Sequence, residues 1–196
     1  MSSSRVLSNN QEVFLNFLNT HLAMAAFLMP WKKLVDTSAD KTKYVTHLIT
    51  LFDMFDHDPD WMVAAGTPDS TLEGKVHVLL GMTIGLLIVT IVGFAAALYY
   101  PRETVSKFGI DLVGLIMGSV TLILALTFQP DFDKAWKFYS VAPGSGSPTN
   151  QNTLLSGYER DYEQMFLVVG VLVGQIVLSL GLAGDKLKEV LEKWRV

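Results

Sequence analysis

Long apolar blocks alternate with polar segments along this chain. From Val76 to Tyr99 the sequence VHVLLGMTIGLLIVTIVGFAAALY is apolar almost without interruption. After a short polar break it resumes from Phe108 to Phe128 as FGIDLVGLIMGSVTLILALTF. Each block is long enough for a helix that must cross a hydrocarbon core about 30 Å thick, which takes about 20 residues. A connector this short makes the two helices an antiparallel hairpin. A third block runs from Met165 to Ala183, and a more polar one, VFLNFLNTHLAMAAFLMPW, from Val13 to Trp31. The pattern predicts an all-α integral membrane protein with four transmembrane helices, at about 13–31, 76–99, 108–128 and 165–183. Asn9 or Asn10 is expected to cap the first, with Pro30, Trp31, Lys32 and Lys33 at its interfacial exit.

The polar segments divide this single four-helix transmembrane domain, 1–196, into recognisable parts. Residues 31–75 form a first, acidic loop. Inside it Tyr44, Leu48, Leu51, Phe52 and Phe55 recur at helical spacing, which predicts an amphipathic helix over about 40–55. That helix is too short and too charged to span, so it belongs at the membrane surface or against a partner. Residues 129–163 form a second loop containing the linker-like run APGSGSPTNQNT. Residues 184–196 form an amphipathic C-terminal tail with Leu187, Val190, Leu191 and Trp194 on one side.

Charge sets the orientation. Arg5, Arg102, Lys107, Lys186, Lys188, Lys193 and Arg195 lie in the short segments, while the two loops hold most of the acids. Both termini and the Tyr99–Lys107 turn are therefore expected on the same, positive-inside face. The net charge of −4 gives no basic footprint for nucleic acid. The absence of cysteine excludes disulfides, thiolate metal sites and cysteine nucleophiles.

Within the spans, three motifs put small residues one turn apart: Gly81-x-x-x-Gly85, Gly114-x-x-x-Gly118 and Gly170-x-x-x-Gly174. Small residues let helix backbones approach in lipid, where no hydrophobic force drives them together, so these are candidate packing faces. The intramembrane polar residues are Asn16, Asn19 and His21 in the first span, Asp111 in the third and Gln175 in the fourth. Such groups are expected to face protein. Asp111 lies near the start of its span, where pairing with Lys107, Arg102 or a basic residue of the C-terminal segment fits better than ion transport. Gln175 suits an interhelical hydrogen bond. His21 is a candidate ligand for a pigment, haem or quinone, against the commoner role of a hydrogen bond to a neighbouring helix.

Asp56, Asp58 and Asp60 open like a calcium-binding loop, but Trp61 stands where the sharp turn needs glycine and Thr67 where a bidentate glutamate belongs. A solvated turn is the simpler reading, and no metal is expected. No Ser-His-Asp order, glycine-rich phosphate loop, HExxH or CxxC occurs, so no catalytic residue is assigned and the chain is not expected to be an enzyme. No cofactor is expected beyond bound lipids.

Four spans, a longer first loop, a shorter second loop and both termini on one side are similar to the layout of claudin-type tetraspan proteins. Those carry a Trp-Gly-Leu-Trp stretch and a cysteine pair in the first loop. Here that loop has Trp31 and Trp61 and no cysteine, so the resemblance is one of topology and carries over no site residue. The layout is also similar to small endoplasmic-reticulum chaperones that package fungal permeases and to accessory subunits of respiratory complexes. The expectation is a non-catalytic accessory subunit of a larger membrane complex, possibly a respiratory-type assembly in the mitochondrial inner membrane. Its partners would be membrane lipids and other integral membrane subunits. The alternatives are a stand-alone tetraspan scaffold or chaperone of the endoplasmic reticulum or plasma membrane, and a homo-oligomeric channel lined by Asn16, Asn19 and His21.

Overall fold

A computed structural model of the chain describes residues 7–36, 45–56, 70–135 and 163–194. In chain order the elements are α1 (Asn9–Leu28), β1 (Lys32–Asp36), β2 (Val45–Ile49), α2 (Leu51–Asp56), α3 (Ser70–Tyr99), α4 (Thr104–Ala135) and α5 (Glu163–Trp194). The protein is mostly helical. Three helices are long and apolar enough to cross a membrane, at Gly74–Tyr99, Thr104–Phe128 and Gln164–Leu187, which supports a membrane-embedded protein. Four were expected. The first helix falls short because Glu12, Asn16, Asn19 and His21 interrupt its apolar run.

Two compact units make up the chain. The first comprises Met1–Phe27, Gly81–Ile123 and Val169–Val196. Here the start of α1, the start of α4 and the end of α5 gather at one end, where the Leu7 amide donates to Asp185 Oδ1 at 3.2 Å and the Thr104 hydroxyl to Glu189 Oε1 at 2.7 Å. The cap of α1 is Ser8, not Asn9 or Asn10. Gln11 accepts from the Ser8 amide at 2.9 Å, and the Gln11 amide donates back to Ser8 Oγ at 3.4 Å. This reciprocal box satisfies two otherwise orphaned amides and starts the helix four residues earlier than its apolar run suggests. The helix ends at Leu28, before Pro30, which lacks the amide a further turn would need.

The second unit comprises Leu28–Leu80 and Leu124–Val168. It corrects the all-α expectation and the helix expected at 40–55. Val45–Ile49 is a strand paired antiparallel with Lys32–Asp36, Lys32 opposite Ile49 and Asp36 opposite Val45. Val45, Thr46 and Ile49 are β-branched, and over five residues a helical and an alternating pattern cannot be told apart. At the end of the strand Leu48 is exposed and Ile49 fully buried, the alternation a strand imposes. Helix begins only at Leu51, where Thr50 and Asp53 form a second capping box. Asp53 Oδ2 accepts from the Thr50 amide at 2.6 Å, and the Asp53 amide donates to Thr50 Oγ1 at 3.3 Å. Leu51 and Met54 are buried while Phe52 and Phe55 are exposed. The Phe55 ring packs on His77 of α3, centroids 4.9 Å apart. Residues 40–44 of the expected helix lie outside the described residues.

The C-terminal tail is not a separate element. α5 continues without a break to Trp194, 32 residues in all.

Candidate functional site

α1 is built with its polar side inward. Its buried residues are Glu12, Asn16, Asn19, Ala23 and Ala26, spaced by alternating steps of four and three that keep them on one face. The opposite face exposes Phe14, Phe17, Met24 and Leu28. In water this arrangement would be inverted; against lipid it is the favourable one.

The first residue of that inner stripe, Glu12, meets two lysines, one from each of two other helices, and through one of them is linked to a second carboxylate. Its Oε2 lies 3.0 Å from Lys107 Nζ of α4, and its Oε1 lies 3.1 Å from Lys186 Nζ of α5. Lys186 also reaches Asp111 Oδ2 of α4 at 2.5 Å. Further donations go from Lys107 to the Pro101 carbonyl at 3.1 Å and from Lys186 to the Leu182 carbonyl at 3.3 Å. All four residues are at most 5% exposed. The result is a chain of contacts, Lys107–Glu12–Lys186–Asp111, with two positive and two negative charges and no net charge. Charges out of water are tolerated when paired and hydrogen-bonded this way. Asp111 thus finds its partner in a C-terminal basic residue, Lys186.

Further along the stripe the network becomes uncharged. Asn16 Nδ2 donates to the Glu12 carbonyl at 3.0 Å. Asn19 Nδ2 donates to Ser179 Oγ at 3.1 Å, and Gln175 Nε2 donates to the same hydroxyl at 2.9 Å. Gln175 Nε2 also lies 3.4 Å from the Gly114 carbonyl. The acceptor oxygens of Asn19 and Gln175 are buried without a hydrogen-bond partner among the described residues. The Thr20 hydroxyl joins the group by donating to the Thr90 carbonyl of α3 at 3.0 Å.

The glycines serve this network more than they serve close packing of bare helices. A Cβ built on Gly118 would land on the side-chain oxygen of Gln175, so the missing side chain is the space the carboxamide occupies. A Cβ on Gly114 would sit 3.5 Å from Ser179 Oγ, in ordinary contact. Gly85 receives the tip of Met117, whose Cε would lie 2.5 Å from an added Cβ, and Gly174 lies against Leu22. Among the described residues, nothing stands within 4 Å of a Cβ on Gly81 or Gly170. Each of those two motifs therefore uses one of its glycines inside the unit, whereas Gly114 and Gly118 act together as a cradle for Gln175 and Ser179.

His21 is not part of the polar interior. It is exposed on the outer face of α1, with Nδ1 2.8 Å from the Phe17 carbonyl. The side chain of Asp56, together with Asp58 and Asp60, lies outside the described residues. Glu12, Lys186 and Ser179 are the site residues that sequence reasoning missed. The signal for Glu12 was present: it stands four and seven residues before Asn16 and Asn19, in phase with them. No family model, curated protein or solved structure matches the chain.

Proposed function

We propose that this chain is a non-catalytic structural subunit of a larger membrane complex, with α1 as a fourth span beside α3, α4 and α5. The 20 residues of α1 amount to about 30 Å of helix, the thickness of a hydrocarbon core. Its inward polar stripe and outward apolar side chains suit a lipid surround. On this reading both chain ends lie on one side of the membrane, in keeping with the meeting of Leu7 and Asp185.

The observation that carries the functional reading is the closed Lys107–Glu12–Lys186–Asp111 set. The charges held inside the bundle are consumed by one another, so they hold helices together and leave apolar outer faces for lipid and neighbouring subunits. Gly81 and Gly170, open on those outer faces, are places where a helix of another subunit can approach closely. The channel alternative loses support, since Asn16 and Asn19 point into the bundle instead of toward an intersubunit pore.

The test is blue-native electrophoresis of digitonin-solubilised native membranes, with mass spectrometry of every band that contains the chain. Comigration with other integral subunits in one large band is the expected result, and catalytic subunits in that band would name the membrane, a mitochondrial one on our reading. Migration only at the mass of the single chain would sink the proposal.

A further inference from the structure

Beyond its first turn, α1 exposes a single polar side chain. His21 sits on the outer face among Phe14, Phe17, Met24 and Leu28, at alternating three- and four-residue steps. It lies nine residues past Glu12 and seven before Leu28, about 13 Å and 10 Å along the helix, close to the middle. On the reading of α1 as a span, that is the centre of the bilayer.

The chemistry of the ring is fixed by its contacts. Nδ1 lies 2.8 Å from the Phe17 carbonyl, and a carbonyl oxygen only accepts. Nδ1 therefore carries a proton, and in the neutral ring, the form a hydrocarbon surround favours, Nε2 presents a lone pair. The Phe17 ring packs on the imidazole, centroids 4.0 Å apart, and on Phe94 at 5.8 Å, which holds the imidazole in place. Nε2 has no hydrogen-bond partner among the described residues, and acyl chains offer no donor. A polar acceptor at this depth is expected to face protein.

We infer that this face of α1 is the docking site of a transmembrane helix from a different protein, one that brings a hydrogen-bond donor to His21 Nε2. The inference rests on the subunit reading above and names where one neighbour sits. A second copy of the chain fits poorly. A second copy packed through the same face offers His21 as its one polar side chain, so two neutral rings would meet acceptor to acceptor or find no polar group at all. The apolar side chains around His21 supply contact area, and the one hydrogen bond sets the register, as a single polar core position does in a coiled coil.

The experiment compares His21→Leu and His21→Gln in native membranes with the wild-type chain, reading the share of each that migrates in the large digitonin-stable assembly. A photo-crosslinking residue at Met24 is read in parallel. Because His21 is exposed, neither substitution should change the unfolding of the purified chain, which is measured alongside. The expected result is a roughly fivefold loss of assembly for His21→Leu, the worth of one interhelical hydrogen bond. His21→Gln keeps an acceptor and should retain assembly. Equal assembly of His21→Leu and wild type would overturn the docking site while leaving the subunit reading intact. A crosslinked product of twice the chain mass would overturn it in favour of a second copy. Wild-type chain that never migrates above its own mass would overturn both.

Discussion

Replacing Glu12 by glutamine is the sharpest test of the buried charge set, because it removes one charge and almost no volume. Lys186 keeps Asp111 at 2.5 Å, but Lys107 loses the carboxylate it bonds among the described residues and is left with the Pro101 carbonyl. The set then carries a net positive charge where the side chains are almost fully buried. Breaking one partner out of a buried ion pair costs about 3–5 kcal/mol. The glutamine oxygen can still accept from one ammonium, so the expectation lies near the lower end, about 3 kcal/mol. The assay is detergent-driven unfolding of the purified chain, followed by tryptophan fluorescence.

A double-mutant cycle separates pairing from simple loss of contacts. Glu12→Gln with Lys107→Met removes one acid and one base, and it leaves the Lys186–Asp111 pair neutral and intact. That double variant should be more stable than the sum of its single changes by at least about 1.5 kcal/mol, within the range measured for coupled neighbours. Glu12→Gln with Lys186→Met also preserves net charge and removes a contacting pair, yet it strands Asp111 and Lys107 without their partners, so it should be the less stable of the two doubles. Equal stability of the two doubles would mean that net charge alone matters and that the contact order is wrong. A Glu12→Gln cost under about 1 kcal/mol, the scale of a solvated pair, would refute burial of the set altogether.

Two further outcomes follow from the packing. Gly118→Ala should destabilise the chain by about 1–3 kcal/mol, since the new methyl displaces the Gln175 carboxamide from its bonds. The cost should largely vanish in a Gln175→Ala background, whereas Gly81→Ala and Gly170→Ala should leave unfolding unchanged; the same detergent titration reads all four. Thr50→Ala opens the capping box of α2 at a cost of about 1 kcal/mol. It should speed hydrogen exchange at Leu51–Asp56 without moving the global transition, and exchange at the wild-type rate would mean the cap is unimportant.

The spans were legible from the sequence because lipid demands a single property, apolarity over a fixed length, and α3, α4 and α5 state it plainly. The region between α1 and α3 was misread for the opposite reason. Val45–Ile49 is short, and its partner strand, Lys32–Asp36, lies across a segment whose length the hydrophobic pattern does not register. A pairing partner overrides a weak local preference there. The site was half legible. Asp111 could be seen to need a cation, but choosing Lys186 over Lys107 or Arg102 required knowing which turn of α5 stands beside which turn of α4. The Gly114 and Gly118 motif was visible as a small face, yet its occupant, Gln175, lies on another helix more than fifty residues away.

α1 shows why an average over a helix can hide what the helix is for. Its apolar residues, Phe14, Phe17, Met24 and Leu28, point outward, and its polar residues, Glu12, Asn16 and Asn19, point inward. Summed along the chain the two faces cancel, so the segment as a whole is far less apolar than α3. The inward face cannot be satisfied by α1 alone. Glu12 needs cations from α4 and α5, Asn19 needs the Ser179 hydroxyl, and Thr20 needs a carbonyl of α3. Each of these helices could cross a bilayer by its own apolarity, whereas α1 depends on all three for its polar groups. On the reading of α1 as a span, the contacts that make it tolerable in a membrane are thus the contacts that fix the arrangement of the other helices around it. That is why the Glu12 variants, more than any change on the apolar faces, report whether the unit is assembled as described.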